Sequence, residues 1–530
     1  MADGEALSND RQAIKLIDQL PERVSHRVSE WFEKTPEAIA VVETAGSWTY
    51  AQLAEATESC QQYFKHQQLQ PGDRVIVIGE NCRALIALLL AASEMNIWIS
   101  IVNARLSSRE IDQIMNDCEP RYVIYTVDCS AEAHQHATRQ SASFEQHHYL
   151  GRIAFNHYDH RQPEPVYDSG KEQVFAMVYT SGTTGQAKGV MLTHHNIAYI
   201  ASVSGAIRGL SSSDRVYAVL PISHVFGLAS TCMGTLFAGG SLFLVSRFNA
   251  GVCLDHLVKQ RITVLQGVPA MFAALIEGVK SKGQTQHNTH LRYMSCGGAP
   301  LDVETKRATE EIFAVTLNNG YGMTEASPTI SQTRIDQPQR SDTTGRAIPG
   351  IEIRLVKADG SKAVGDEIGE LWIRGPNVMK GYFRKPEQTA EVLTDDGWLN
   401  TQDLASLDTD GNITIMGRSK ELIIRSGFNV YPAEVEAVLN AHPEVRHSAV
   451  IGQARKQDEV ILAFVQPVVG ALVSVAELRE YCQLNLVAYK RPQKIILIDQ
   501  LPASPSGKIL KKELFNLVAG RLSSTSCAPR

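Results

Sequence analysis

Between Tyr179 and Met191 the chain carries four hydroxyl side chains (Thr180, Ser181, Thr183, Thr184), three glycines (Gly182, Gly185, Gly189) and one lysine, Lys188. Glycines let a backbone turn sharply and approach a ligand closely, and successive free N–H groups in such a turn form a cradle for an anion. Hydroxyls add donors for phosphate oxygens and Lys188 adds a mobile positive charge. The residues therefore suit a phosphate-gripping loop, but not the G-x-x-x-x-G-K-[ST] kind, since Ala187 stands five after Gly182 and Gly189 follows Lys188. A flexible polar linker fits poorly, because strand-like apolar runs lie on both sides. A second segment, Asn318-Asn319-Gly320-Tyr321-Gly322-Met323-Thr324-Glu325, sets an aromatic between glycines and ends in an acid. Such an aromatic can stack on a purine, and a carboxylate beside a triphosphate suits a hard Mg²⁺ ion. Alone, this segment reads equally well as an ordinary strand–loop–helix turn.

The elements that must hold these residues show in the hydrophobic periodicity. Val174–Val178 is a buried strand leading into the loop, and Ala314–Leu317 a strand leading into the second segment. Upstream, a helix from about Ala51 to His66, a strand Arg74–Ile78, a helix Arg83–Ser93 and a strand Ile97–Val102 alternate as α/β layers around a mainly parallel sheet require. The apolar stretch Ala84–Val102 contains Glu94 and Asn96, so it reads as soluble βαβ core and not as a membrane span. From about 340 to 416 short strands (Ile351–Lys357, Gly369–Arg374, Ile413–Met416) alternate with Asp-Gly turns, a small antiparallel β unit, open or barrel-like. Beyond Gly417-Arg418-Ser419-Lys420 the pattern becomes α+β, with Pro432 opening a helix and Glu434 and Glu436 in its first turn. The fold class is accordingly α/β: a large domain over 1–418 that includes the β unit, and a smaller α+β domain over 419–530.

Composition excludes several classes. With 57 acidic and 51 basic residues the net charge is −6, which gives no electrostatic footprint for nucleic acid. The nine cysteines are scattered without a C-x-x-C pair, as expected of reduced thiols in a cytoplasmic protein. The acidic start Met-Ala-Asp-Gly-Glu has no signal-peptide core, and the final Ser-Cys-Ala-Pro-Arg is neither a peroxisomal address nor a lipidation box. Six of the sixteen histidines (134, 136, 147, 148, 157, 160) crowd residues 130–165, but their spacing matches no structural zinc site, and a solvated loop region is the expectation.

Six segments in one order resemble the acyl-adenylate-forming enzymes, the superfamily of acyl-CoA synthetases, nonribosomal adenylation domains and firefly-type luciferases. The 179–191 loop is similar to that family's nucleotide-binding signature, with Ala187 where proline is usual. Ser295-Cys296-Gly297-Gly298-Ala299-Pro300-Leu301 resembles its adenine-contacting loop, and Asn319–Glu325 its Tyr-Gly-x-Thr-Glu motif, in which the threonine (Thr324) meets the phosphate and the glutamate (Glu325) holds magnesium. Thr401-Gln402-Asp403 resembles its Thr-Gly-Asp segment, which implies that Asp403 receives both ribose hydroxyls, although Gln402 replaces the glycine. Gly417-Arg418 matches the arginine that reaches ribose or phosphate. Pro505-Ser506-Gly507-Lys508-Ile509 resembles the final motif, whose lysine bridges the carboxylate to the α-phosphate. A positioned ammonium suits that step, since carboxylate attack on phosphorus brings two anions together.

The resemblance implies ATP, Mg²⁺ and coenzyme A as cofactors and co-substrates, a carboxylic acid as substrate, and two half-reactions: formation of an acyl-adenylate with release of pyrophosphate, then displacement of AMP by a thiol. It further implies a swing of the C-terminal domain about Lys420, with Gly427 lining the thiol channel. Pro221–Gly227, with His224, Val225 and Phe226, resembles the segment gating the acid pocket, to which Val268, Gly297 and Met323 would add. No aspartate stands there for an amino-acid ammonium, so a fatty or aryl acid is expected in a largely apolar pocket. A carrier-protein phosphopantetheine in place of CoA, and a catalytically silent acyl- or nucleotide-binding protein, are the two alternatives.

Overall fold

The computed structural model describes residues 14–181, 187–281, 289–341, 343–425, 428–455, 458–468, 470–503, 509–511 and 513–515. Two large sheets dominate. The nine-stranded sheet runs, in spatial order, Arg346–Ala347, Thr329–Gln332, Leu317–Gly322, Tyr293–Cys296, Val264–Gly267, Arg215–Ala218, Ser241–Leu244, Ile39–Glu43 and Gly46–Thr49. Its six central strands, from Leu317–Gly322 to Ile39–Glu43, are parallel. The eight-stranded sheet is parallel through Val174–Ser181, Trp98–Asn103, Arg74–Gly79 and Tyr122–Tyr125. Parallel strands covered on both faces read as continuous apolar runs, and Arg74–Gly79 is buried at every position.

The helix Arg83–Glu94 and the strand Trp98–Asn103 occupy the Ala84–Val102 stretch. The helix is buried from Ala84 through Ser93, apolar all round because it is enclosed all round. Among the described residues no helix is long and apolar enough to cross a membrane. One core spans both sheets, joining Val75, Val77, Leu85, Ile99 and Phe175 to Ile222, Leu228, Leu242 and Ile330.

Three expectations need correction. The 130–165 region is not simply a loop: it forms the helix Ala131–Arg139 and two antiparallel strands at one end of the sheet, Gly151–His157 and, outermost, Ser143–His147. Its edge strand Ser143–His147 is exposed or half-exposed at every position, which removes the apolar alternation by which a strand is recognised. The strand placed at Ala314–Leu317 begins only at Leu317, because Ala314 ends the preceding helix in a left-handed conformation (φ 54°). The β unit is a four-stranded antiparallel sheet, Glu352–Val356, Gly369–Arg374, Leu399–Leu407 and Ile413–Arg418, while Arg346–Ala347 and Gly381–Tyr382 leave it to extend the two large sheets.

After Arg418 a short 3₁₀ turn, Ser419–Glu421, leads into a hairpin (Ile423–Arg425, Phe428–Val430), the helix Pro432–Asn440 with Pro432 in its first turn, and a three-stranded sheet of Val445–Arg455, Asp458–Pro467 and Lys494–Leu497. The two cores of this part draw only on residues from Ile423 onward.

Candidate active site

Thr180 and Lys188 face each other across the antiparallel pair Val174–Ser181/Ala187–Thr193; Gly182, Thr183, Thr184 and Gly185 lie outside the described residues. The strand Gly381–Tyr382 pairs along the outer edge of Ala187–Thr193, with Tyr382 opposite Val190. Lys188, two positions from Val190, therefore shares a face with Tyr382, and its ammonium lies 4.8 Å from the centre of the Tyr382 ring. The Tyr382 hydroxyl donates to Glu325 Oε1 at 2.8 Å. Burial, and then the Glu325 charge, push the phenol pKa up, so this hydroxyl remains a donor. Nothing in the local sequence marks Tyr382, which lies outside the six segments that carry the family resemblance.

Glu325 is held in a tight turn. After the strand Leu317–Gly322, Met323 donates its N–H to Pro328 O (3.0 Å), Thr324–Ala326 form one 3₁₀ turn, and Met379 N–H donates to Glu325 O (2.9 Å). Gly322 is required here: a Cβ would stand 2.0 Å from Pro328 O. Thr324 is buried beside it and Met323 packs on the main core. Asn319 donates from its side chain to Thr343 O (3.1 Å) and from its backbone N–H to Thr333 Oγ1 (2.8 Å), so its bonds brace the strand. Glu325 fits Mg²⁺ as a shared ligand: a hard cation takes one or two carboxylate oxygens and completes its shell with phosphate and water, and Oε1 alone is engaged by Tyr382.

Tyr321, Asp403 and Arg418 form a second group. Asp403 and Arg418 are cross-strand partners, with Arg418 Nε 3.5 Å from Asp403 Oδ1. The Tyr321 hydroxyl donates to Asp403 Oδ2. Burial, then the Asp403 carboxylate, raise the Tyr321 phenol well above its ordinary pKa. Asp403 is aimed by an irregularity in the sheet: Gln402 is left-handed (φ 58°), and the register slips between Glu370 and Trp372. Gln402 thus adopts the backbone that glycine would take more readily.

The acid-pocket candidates and the adenine-loop candidates follow the carboxyl ends of neighbouring parallel strands: Gly297, then Gly298, Ala299 and Pro300 of the adenine loop, after Tyr293–Cys296, Val268 after Val264–Gly267, and His224–Phe226 beyond Arg215–Ala218. Loops at such ends are where open α/β sheets bind ligands. A Cβ on Gly297 would meet Gly320 O at 3.3 Å and the Phe226 ring at 3.4 Å, and one on Gly298 (φ 81°) would meet Val268 at 3.6 Å, which brings these five residues together. His224 is exposed and Phe226 half-buried, but Val225 is 0% exposed. Val225, expected at the acid pocket, is instead packed in the main core. The stretch Phe226–Met233 is π-helical, a form common at functional sites. The surroundings are less apolar than expected: Gln266 Oε1 accepts from Arg208 Nη1 (2.8 Å) and Thr231 Oγ1 (3.2 Å), and Arg208 Nη2 donates to Ser230 O (2.8 Å). Burial brings the Arg208 pKa down to about 10.

Lys508 and Gly427 lie outside the described residues. Their neighbours do not: Ala503 and Ile509 form a bridge, and Lys511 reaches Glu421 (3.0 Å) and Glu436 (2.9 Å). Glu421 adjoins the exposed Lys420, whose other neighbour, Ser419, donates to Glu370 Oε1 (2.5 Å).

Residues 28–383 match the AMP-binding enzyme family, and 434–508 match the AMP-binding enzyme C-terminal domain. The chain belongs to the AMP-binding enzyme family. It is an AMP-forming acid–thiol ligase that uses ATP, Mg²⁺ and CoA. It is 34% identical over 486 residues to a feruloyl-CoA synthase of an Amycolatopsis species, covering 91% of this chain and 96% of that one. It is 30% identical over 504 residues to a 4-coumarate–CoA ligase of Oryza sativa subsp. japonica, covering 90% and 89%. The ATP-bound crystal structure of MatB from Rhodopseudomonas palustris superposes with a TM-score of 0.81 at 30% identity, over 93% of this chain and 98% of that chain. An anthranilate CoA ligase with bound anthranoyl-AMP shares the fold with a TM-score of 0.84 at 22% identity, over 96% and 99%.

Proposed function

We propose that this enzyme activates an aryl carboxylic acid and passes the acyl group to free CoA. The observation that carries the choice of acid is the likeness to feruloyl-CoA synthase and 4-coumarate–CoA ligase, whose names are those of flat aromatic acids, together with the Phe226 ring beside Gly297 at the candidate acid site. Lys188 and the 180–185 loop take the β- and γ-phosphates. Tyr321 with Gly298–Pro300 takes the adenine, and Asp403 with Arg418 the ribose. Glu325, oriented by Tyr382, would hold the Mg²⁺ that neutralises the phosphate charge. Lys508 neutralises the approach of the carboxylate oxygen to the α-phosphorus, and Thr324 holds a phosphate oxygen. Residues 419–530 then turn about Lys420 and present Gly427 to the incoming thiol, which attacks the acyl carbon and expels AMP.

A panel of substituted cinnamates, benzoates and medium- and long-chain fatty acids, scored by pyrophosphate release with and without CoA, tests this. The highest kcat/KM is expected on an aryl acid, with thioester formed on free CoA. Activity confined to fatty acids would overturn the aryl assignment. Adenylation without CoA-thioester, completed by a phosphopantetheinyl carrier protein, would overturn the acceptor.

A further inference from the structure

We infer that Asn81 is a positioning residue for the acid, fixing the loop that carries His224 and Phe226 from the opposite sheet. The inference rests on the reading of that loop as the acid's. Asn81 follows the strand Arg74–Gly79 of the eight-stranded sheet, whereas the loop leaves Arg215–Ala218 of the nine-stranded one. Asn81 Nδ2 donates to Ala218 O (3.1 Å), Leu220 O (2.9 Å) and Val245 O (3.3 Å), and Asn81 Oδ1 accepts from Ile222 N (2.9 Å). A carboxamide supplies donors and an acceptor from one planar group, and here both ends are used on main chain. Among the described residues no other side chain hydrogen-bonds the backbone of 219–223.

Two further contacts make the clamp directional. Gly227 closes on the same loop: a Cβ there would stand 2.1 Å from Pro221 O, so residues 221 and 227 are in backbone contact. Beside Asn81, Glu80 pairs with Arg247 at 3.1 Å, tying the same turn to the segment that holds Val245. Asn81 is only 8% exposed, so losing its bonds leaves buried main-chain groups unmatched unless the loop moves. The loop's freedom is thus set from the far sheet, and its displacement by a fraction of an ångström changes the seat of the acid, where rate is sensitive to small misplacement. The groups assigned to ATP lie on other elements and are not bonded to Asn81.

The test compares Asn81→Ser, Asn81→Asp and Phe226→Ala in the full-length enzyme, measuring pyrophosphate release against acid and ATP separately. For Asn81→Ser we expect kcat/KM for the acid to fall tenfold or more and the preference order among acids to change, with the KM for ATP within twofold of wild type. Phe226→Ala probes the loop itself and should also act on the acid alone. If Phe226→Ala does so while Asn81→Ser shifts acid and ATP equally, or neither, the positioning role is overturned and the loop reading stands. If Phe226→Ala leaves the acid unaffected, the loop reading fails and the inference with it. Asn81→Asp repeats the test should the serine variant fail to fold, and loss of ATP binding in both would make Asn81 a folding residue and overturn the assignment.

Discussion

Asp403→Ala separates the nucleotide role of the Tyr321–Asp403–Arg418 group from its structural one. In the structure Asp403 is 7% exposed and accepts the Tyr321 hydroxyl, while Arg418 is largely solvent-facing 3.5 Å away. Removing the carboxylate orphans a buried phenol, which costs about 1–3 kcal/mol of stability. Releasing the exposed guanidinium adds little. A hydrogen bond to a charged acceptor contributes about 1.5–3 kcal/mol, so losing one such ribose contact should weaken ATP roughly 10- to 150-fold at about 1.4 kcal/mol per decade. Isothermal titration with ATP and with 2′-deoxy-ATP reads both terms. The wild type should prefer ATP by at least one decade and the variant should bind the two nearly alike. Asp403→Asn, which still accepts from Tyr321, should recover most of the stability while binding ATP less tightly than wild type. A folded Asp403→Ala enzyme that keeps the wild-type ratio between the two nucleotides would refute the ribose assignment.

Tyr382→Phe keeps the ring beneath Lys188 but loses the 2.8 Å bond to Glu325. A Mg²⁺ titration of pyrophosphate release should show roughly a tenfold loss at fixed Mg²⁺, in line with one bond to a charged group. Lys420→Pro removes a backbone N–H and fixes φ at the turn after Arg418, so pyrophosphate release should persist while CoA-thioester formation falls sharply; wild-type rates of both would place the pivot elsewhere. Asp214 is buried, which alone would raise its pKa, but bonds from Arg292, Thr263 and the Ser211 N–H hold it below the ordinary 3.8. A depressed folded value stabilises the protein above the unfolded pKa and the benefit is lost as pH falls through the folded one. Asp214→Asn should therefore cost about 3 kcal/mol by chemical denaturation near neutral pH, with the gap to wild type closing only in acid, below about pH 4.

Much of the fold was legible because its signals are local. Arg74–Ile78 and Arg83–Ser93 are apolar runs that burial on all sides demands, and they recur as Arg74–Gly79 and Arg83–Glu94. Pro432 opens a helix for the same local reason, its fixed φ suiting the first turn. The 130–165 elements were missed because an edge strand with little to bury carries no alternation. Ala314 was misplaced because a left-handed helix end at a non-glycine residue leaves no mark in composition. The candidate site divided in the same way: glycines, hydroxyls and charges clustered within a few positions point to Lys188, Glu325 and Asp403, whereas Tyr382 meets Glu325 across 57 residues and Arg208 meets Gln266 across 58. Asn81 reaches across 137 to 164 residues. No periodicity records such a contact, since the topology creates it.

The division of labour between sheets has a mechanistic consequence. Lys188 and Tyr382 stand on the edge of the eight-stranded sheet, Tyr321 on the nine-stranded sheet with Glu325 in the turn after it, and Asp403 and Arg418 on the four-stranded sheet. Two hydroxyls, of Tyr382 and Tyr321, cross the seams and bind the carboxylates of Glu325 and Asp403. Each seam is thereby joined by a bond that also orients a carboxylate proposed to serve the nucleotide. Lys188, Tyr321, Glu325, Asp403 and Arg418 sit on strands or in a turn fixed by main-chain bonds, whereas His224, Val268 and Gly297 follow strand ends. On the proposed assignment, rigid strands would hold the invariant part of the reaction, ATP and its metal. Loops leave the variable part, the acid, open to change by substitution at His224, Phe226, Val268 or Gly297 without moving Lys188, Glu325 or Asp403. Asn81 is the point at which the two meet, because a side chain from one rigid sheet limits how far the loop of the other can adapt.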